Sequence, residues 1–165
     1  MWQYWSHLKY TTRHKYYVLI ECIKEGIILR GITHDLSKFT PSEFSGYANF
    51  FFYKNGSKKS NTHNNSDEIK KAFDMAFDHH QNSNDHHWRS YISDGRYDNS
   101  MTFIREMPHD AAIEMVCDWI GAAKANYENE PDIPLPWYKK NRHKMLLHTH
   151  TRKLIEEKIG FKNGK

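Results

Sequence analysis

Residues 14–30, HKYYVLIECIKEGIILR, set Val18, Leu19, Cys22, Ile23 and Ile27 at helical spacing, with Gly26 and Gly31 bracketing the C-terminal end. That pattern predicts an α-helix with His14 at its start. The next turn carries residues 31–39, GITHDLSKF, and then Thr40, Pro41, Ser42 and Glu43. A hydroxyl, a proline at the first helical position and a glutamate three residues after the cap satisfy the free amides of a helix start. A second helix is therefore expected from 41 to about 53, with Phe44, Tyr47, Ala48 and Phe51 inward and Glu43 reaching back to the Thr40 amide.

Further along, residues 54–66, KNGSKKSNTHNNS, have turn formers and no periodicity, and read as an exposed, mobile connection. Asp67 is placed to cap a third helix in which Ile69, Phe73, Phe77 and His80 share the apolar face while His79 points elsewhere. Residues 81–100 are rich in Asn, Asp, Ser and Gly and read as irregular around Trp88 and Tyr91. Pro108 opens a fourth helix, 110–127, whose inner stripe of Ala111, Met115, Asp118, Ala122 and Ala125 includes one carboxylate. Pro131, Pro134 and Pro136 imply extended or turned chain, and a last helix from about 144 to 159 stops at Gly160. No segment alternates as a sheet does and no repeat is present, so the expected fold is a single all-α domain, 1–165, of five or six helices around a metal site.

With 38% hydrophobic and 15% aromatic residues, the 165-residue chain has enough apolar material for a core, which excludes a disordered tail. The formal net charge of +4 suits a small anionic ligand, but the dense basic runs that signal nucleic-acid binding are absent. The N-terminus, MWQYWSHLKY, has no continuous apolar run, and no stretch approaches the roughly 20 apolar residues of a membrane span. Cys22 and Cys117 sit in apolar contexts as expected for buried reduced thiols, which fits a cytoplasmic protein. Trp2, Tyr4 and Trp5 are a candidate homodimer face.

Twelve histidines are the chemical signal of the chain. His14, His34, Asp35, His80, His86, His87 and Asp118 occur where helices and turns bring side chains inward. Imidazole plus carboxylate is the donor mix for Mn, Fe, Co, Ni or Zn.

The segment His34, Asp35, Leu36, Ser37, Lys38, preceded by His14 and followed by Asp118, resembles the HD-x-x-K signature of the HD-domain superfamily of metal-dependent phosphohydrolases. The wider pattern resembles a small family of bacterial and phage proteins within it. That pattern is GITHDLSKF, Glu43, Tyr47, then Asn84, His86, His87 and Trp88, then Met107, Pro108, Glu114, Met115, Asp118 and Trp119. The resemblance implies an all-helical fold and one or two divalent transition metals. It also implies that His14, His34, Asp35 and Asp118 hold the first metal and that His80 with His86 or His87 supplies a second. His86 and His87 otherwise read as exposed loop residues, and as neighbours they are not expected to face one centre together.

The implied activity is hydrolysis of a phosphoester or phosphoanhydride, a nucleotide being the expected substrate, because a divalent ion acidifies water and polarises a phosphoryl oxygen. Asp35 would bridge metals or orient water, Lys38 would neutralise charge on the phosphate, and His80 or His87 would protonate the leaving oxygen. Glu114, one turn before Asp118, is placed to orient a ligand histidine. Asn84, Trp88 and Arg89 are candidate substrate contacts, with Tyr91 and Trp119 as stacking surfaces and Lys139, Lys140 and Arg142 as phosphate contacts by charge. Two other readings use the same residues: a di-iron oxygenase of the HD type, and a non-catalytic nucleotide- or metal-binding protein.

Overall fold

The first helix of the computed structural model begins well before His14, because residues 2–13 continue the same helical turn. The structure describes residues 1–94, 101–126 and 134–162. Within them the order is α1 (Trp2–Lys24), α2 (Ile28–Thr33), α3 (Pro41–Phe51), α4 (Asp67–Ser83), β1 (Ile92–Asp94), β2 (Thr102–Ile104), α5 (His109–Asn126), α6 (Pro134–Asn141) and α7 (Thr149–Lys158). The fold is all-α apart from the β1–β2 hairpin, which is antiparallel with Ser93 opposite Phe103. Among the described residues no helix is long and apolar enough to cross a membrane.

Helix α5 is central. Ala111, Ala112, Ile113, Glu114, Met115, Val116 and Cys117 are all buried, so two consecutive turns of the helix are enclosed all round where a single inner stripe was expected. One side packs with Met107, Tyr138, Met145, Leu147 and Ile155, and the other with Val18 and Cys22 of α1. The α1–α5 approach is close enough that a Cβ on Gly121 would stand 2.4 Å from Val18 Cγ2. Both cysteines are free and buried in this seam. Helices α3 and α4 form a second layer, with Phe50 and Phe73 stacked at 3.8 Å between ring centroids.

Several local expectations are corrected. The helix expected over 14–30 is two helices: Gly26 adopts φ +76, a conformation that ends α1 and that side-chain-bearing residues resist. Ser66, not Asp67, caps α4, its Oγ accepting from the Ile69 amide at 3.5 Å. Pro134 and Pro136 lie in the first turn of α6, where helical amides have no intrahelical acceptor, so the prolines start a helix. Residues 92–94 and 102–104 pair as short strands. The last helix starts at Thr149, after a 3-10 turn at Arg142–Lys144, and Gly160 at φ +66 follows its end. Among the described residues there are seven α-helices, against the five or six expected. The expected irregular residues beyond Asp94, the helix end at Tyr127 and the bend at Pro131 lie outside the described residues. Trp2, Tyr4 and Trp5 are exposed.

Candidate metal centre

Four elements deliver the predicted ligands to one buried point. His14 lies mid-way along α1, His34 ends α2, His80 lies in the last turn of α4, and Asp118 sits one turn after Glu114 on α5. Asp35 holds the left-handed conformation at φ 54, which Asp tolerates better than most residues and which reverses the chain into the 3-10 turn Leu36–Phe39. A tight turn, with the His87 amide on the Asn84 carbonyl at 3.2 Å, brings the His86 and His87 rings to 4.1 Å of each other. Both are buried and both face the centre, contrary to the expectation for neighbours: the turn rotates successive side chains to one side, as an extended strand would not.

The donor atoms fall into two sets that share Asp35. In the first, His14 Nε2 is 3.0 Å from Asp118 Oδ1, 3.5 Å from Asp35 Oδ2 and 3.4 Å from His34 Nε2. His34 Nε2 is 3.3 Å from Asp35 Oδ2 and 3.5 Å from Asp118 Oδ1. In the second, His80 Nε2 and His86 Nε2 each stand 3.3 Å from Asp35 Oδ1, and His87 Nε2 is 2.8 Å from His80 Nε2. Ligands about 2.0–2.2 Å from a first-row cation are roughly 3.0–3.5 Å apart, so the spacing within each set fits one ion. Asp35 Oδ1 and His86 Nε2 are buried without a hydrogen-bond partner, a costly arrangement that a cation relieves.

Two carboxylates fix the tautomers from outside. Glu114 Oε1 accepts from His34 Nδ1 at 2.8 Å and lies 3.2 Å from His86 Nδ1, which turns both Nε2 lone pairs to the centre. Arg30 holds Glu114 Oε2 and Asp85 at 2.5 Å each. Glu43 is fully buried and accepts from His80 Nδ1 at 3.0 Å and from His79 Nδ1 at 2.8 Å. The capping-box role expected for Glu43 is thereby overturned: two imidazole donors from α4 are better partners for a buried carboxylate than one backbone amide. His80, with Nδ1 on Glu43 and Nε2 in the donor set, has no nitrogen left to act as a general acid while it serves as a ligand.

The local field follows from these contacts. Burial would raise Asp35, yet His34 and Lys38 hold its carboxyl well below the usual carboxylate range. Burial would likewise raise Asp118, and hydrogen bonds from His14 and His34 keep it well below. Burial would lower His34, but Asp35 first, then Asp118 and Glu114, lift it well above an ordinary histidine. Burial lowers His87 strongly with help from His86, and lowers His80 against the pull of Glu43. These shifts favour ionised Asp35 and Asp118 and neutral His80 and His87, the forms that bind metals. His34, by contrast, binds one only on giving up the second proton that its carboxylate neighbours favour. Lys38, read from sequence as either a phosphate contact or a surface lysine, is a partly buried cation 2.6 Å from Asp35 Oδ2.

Two cavities flank the centre. One of about 580 Å³ is lined by His87, Asp118, Trp88, Arg89, Trp119 and Trp137 among others. The other, about 290 Å³, is bounded by His14, Lys38, His7 and Tyr47 among others. Trp88 and Arg89 thus border the larger cavity, with the Arg89 guanidinium 5.5 Å from the Trp88 ring centroid. Tyr91 and Trp119 also pack on the core. Asn84 closes α4, donating to the His80 carbonyl at 2.8 Å and to Ser37 Oγ at 3.0 Å. Arg142 is paired with Glu156 at 2.9 Å, and Lys139 and Lys140 are exposed on α6.

Sequence reasoning passed over His7, Arg30 and Lys15. The signal for His7 was present: it lies seven residues before His14 on one helix, so both share a face. Lys15 Nζ donates to the carbonyls of Ile32 and His34 at 2.6 Å each and holds the turn before Asp35. An exposed group of Glu106, His148 and His150 lies at the start of α7, apart from the centre.

One family model, described as a family of unknown function (DUF5662), matches residues 3–160. No curated protein and no solved structure matches the chain.

Proposed function

The chain belongs to DUF5662, a family of unknown function, and we propose that it is a two-metal phosphohydrolase that cleaves a phosphoester or phosphoanhydride of a small anionic substrate, nucleotides being the first class to test. One observation carries this reading: Asp35 offers Oδ2 to the His14, His34 and Asp118 set and Oδ1 to the His80, His86 and His87 set. A carboxylate between two donor sets is the arrangement of two-metal hydrolytic sites, and the resemblance of His34 to Lys38 to the HD-x-x-K signature supports it.

When bound, the cations would acidify water and neutralise phosphoryl oxygens. The protein's own groups do the rest. Glu114 accepts a hydrogen bond from His34 Nδ1 and Glu43 one from His80 Nδ1, so the inward nitrogens stay free as metal donors. Asp35 is locked by its backbone turn and by Lys38. The Lys38 ammonium, beside the first set, is placed to offset charge on a phosphate oxygen. The tryptophan-lined cavity offers flat apolar surface to a base or other leaving group.

The test is phosphate release from a nucleotide panel after reconstitution with Mn, Fe, Co, Ni or Zn. Turnover by the wild type and none by Asp35→Ala is the expected result. The same donor set suits two irons, so dioxygen consumption with iron and no phosphate release from any substrate would replace this reading with an oxygenase. Tight nucleotide binding without turnover under any metal would replace it with a binding protein.

A further inference from the structure

Arg30 lies outside both donor sets, yet it holds three parts of the frame that carries them. Its carbonyl accepts from the His34 amide at 2.7 Å. Its Nε donates to Glu114 Oε2 and its Nη2 to Asp85 Oδ1, each at 2.5 Å. Helix α2, which His34 ends, helix α5, which carries Glu114, and the turn at residues 84–87, which carries His86 and His87, therefore meet on one residue.

The Glu114 carboxylate shows what that contact does. It is buried, and its Oε1 accepts from His34 Nδ1 at 2.8 Å while lying 3.2 Å from His86 Nδ1, so one oxygen serves an imidazole from each donor set. An unconstrained carboxylate would turn to offer each ring its own oxygen. With Oε2 held by the guanidinium, the group stays in the orientation that sets Oε1 against both rings. Because the guanidinium is planar and its N–H groups are fixed in a fork, the same side chain keeps Asp85 in place relative to Glu114. The 84–87 turn is thereby fastened to α5 at the point where His86 and His87 enter the centre.

The geometry points to Arg30 as the positioning residue that ties the two donor sets together: through Glu114 it aims His34 and His86, and through Asp85 it anchors the turn that carries His86 and His87. The inference rests on the two-metal part of the reading above and not on its hydrolytic step. Arg30 supplies no donor atom to either set, so its side chain acts on the metals only through its two carboxylates. The first set feels it through Glu114 alone, and the second through Glu114 and Asp85 both. Lysine is no substitute, because an ammonium on a flexible stem neutralises Glu114 but does not hold two carboxylates in one plane.

The experiment is competition between a chelator and the zinc-loaded, full-length protein, with helical circular dichroism measured on each variant. The variants are Arg30→Gln, Arg30→Lys, Asp85→Asn, Glu114→Gln and the double variant Arg30→Gln/Glu114→Gln, and the first-set ion is identified as the one that His87→Ala retains. Arg30→Gln is expected to weaken both ions about tenfold, the lower end of what loss of a ligand's hydrogen-bond partner costs. In the double variant the first-set ion should be held no more weakly than in Glu114→Gln alone, because residues acting through one network do not add. Arg30→Lys and Asp85→Asn should each weaken only the second ion, by roughly threefold, the scale of a half-exposed ion pair. Additive losses in the double variant, or wild-type affinities in either Arg30 variant, would overturn the assignment. Should Arg30→Gln fail to fold, the exposed Asp85 decides, since Asp85→Asn with both affinities unchanged overturns it as well. Metal binding that responds to Arg30 without turnover of any ester would keep this inference and sink the hydrolase. A wild type that binds none of Mn, Fe, Co, Ni or Zn would sink both.

Discussion

His80 and His87 bring their Nε2 atoms to 2.8 Å of each other in a buried site, while Glu43 receives the other nitrogen of His80. Two lone pairs at that distance repel unless a proton or a metal lies between or beside them. Without a metal, a neutral His87 fills that gap by donating its Nε2 proton to His80 Nε2; as the Nδ1 tautomer it leaves both lone pairs open to a cation bound with Asp35 and His86. Removing one imidazole should then remove one ion. In His87→Ala, metal analysis is expected to find the first set still loaded and about one equivalent lost, with the helical circular dichroism unchanged.

The two outer carboxylates should be distinguishable. Glu114 holds histidines from both sets, whereas Glu43 holds His80 alone among the ligands. Loss of such a partner typically weakens metal binding about 10- to 100-fold. Competition with a chelator is expected to show both ions weakened in Glu114→Gln and only one weakened in Glu43→Gln.

Lys38 tests the division between holding metal and handling substrate. Its ammonium pairs with Asp35 Oδ2, an oxygen of the first donor set, and it supplies no donor atom to the ions. Lys38→Ala should retain metal while kcat falls by roughly 10²-fold, the scale for removing one group that offsets transition-state charge. Steady-state kinetics beside metal analysis would show the split, and unchanged kcat would place the lysine outside the chemistry.

His7 gives the fold a pH dependence of known sign. Burial first, and the Lys38 charge second, push its pKa down to about 4 from 6.5. Between those values the unfolded chain binds a proton that the folded chain refuses, so stability is intact above about 6.5 and falls as pH drops toward 4. From pH 7 to pH 5 the His7 contribution is about 2 kcal/mol. Urea unfolding at the two pH values should show wild type losing about that much more than His7→Phe.

The sequence reading located α3 and α5 well because their start signals and apolar spacing agree with their packing. His80 was placed inward correctly, since a residue in register with Ile69, Phe73 and Phe77 shares their face. Two features were hidden for physical reasons. Glu43 stands where a capping-box glutamate stands, and only the tertiary approach of α4 reveals that His79 and His80 outcompete the amide. His86 and His87 read as diverging neighbours because a one-dimensional pattern does not report the turn at residues 84–87 that swings both rings inward. Gly26 was visible as a helix end, but its φ of +76 is what splits the first helix and aims the His34–Asp35 turn at His14.

The measurement that bears most directly on the central claim is metal stoichiometry by elemental mass spectrometry, on protein purified without a metal-affinity tag, for wild type and Asp35→Ala. A carboxylate shared by both donor sets predicts two equivalents of a transition metal in the wild type and loss of both in the variant. A variant that retains its full metal content, or a wild type that binds no metal after reconstitution with Mn, Fe, Co, Ni or Zn, would contradict the account.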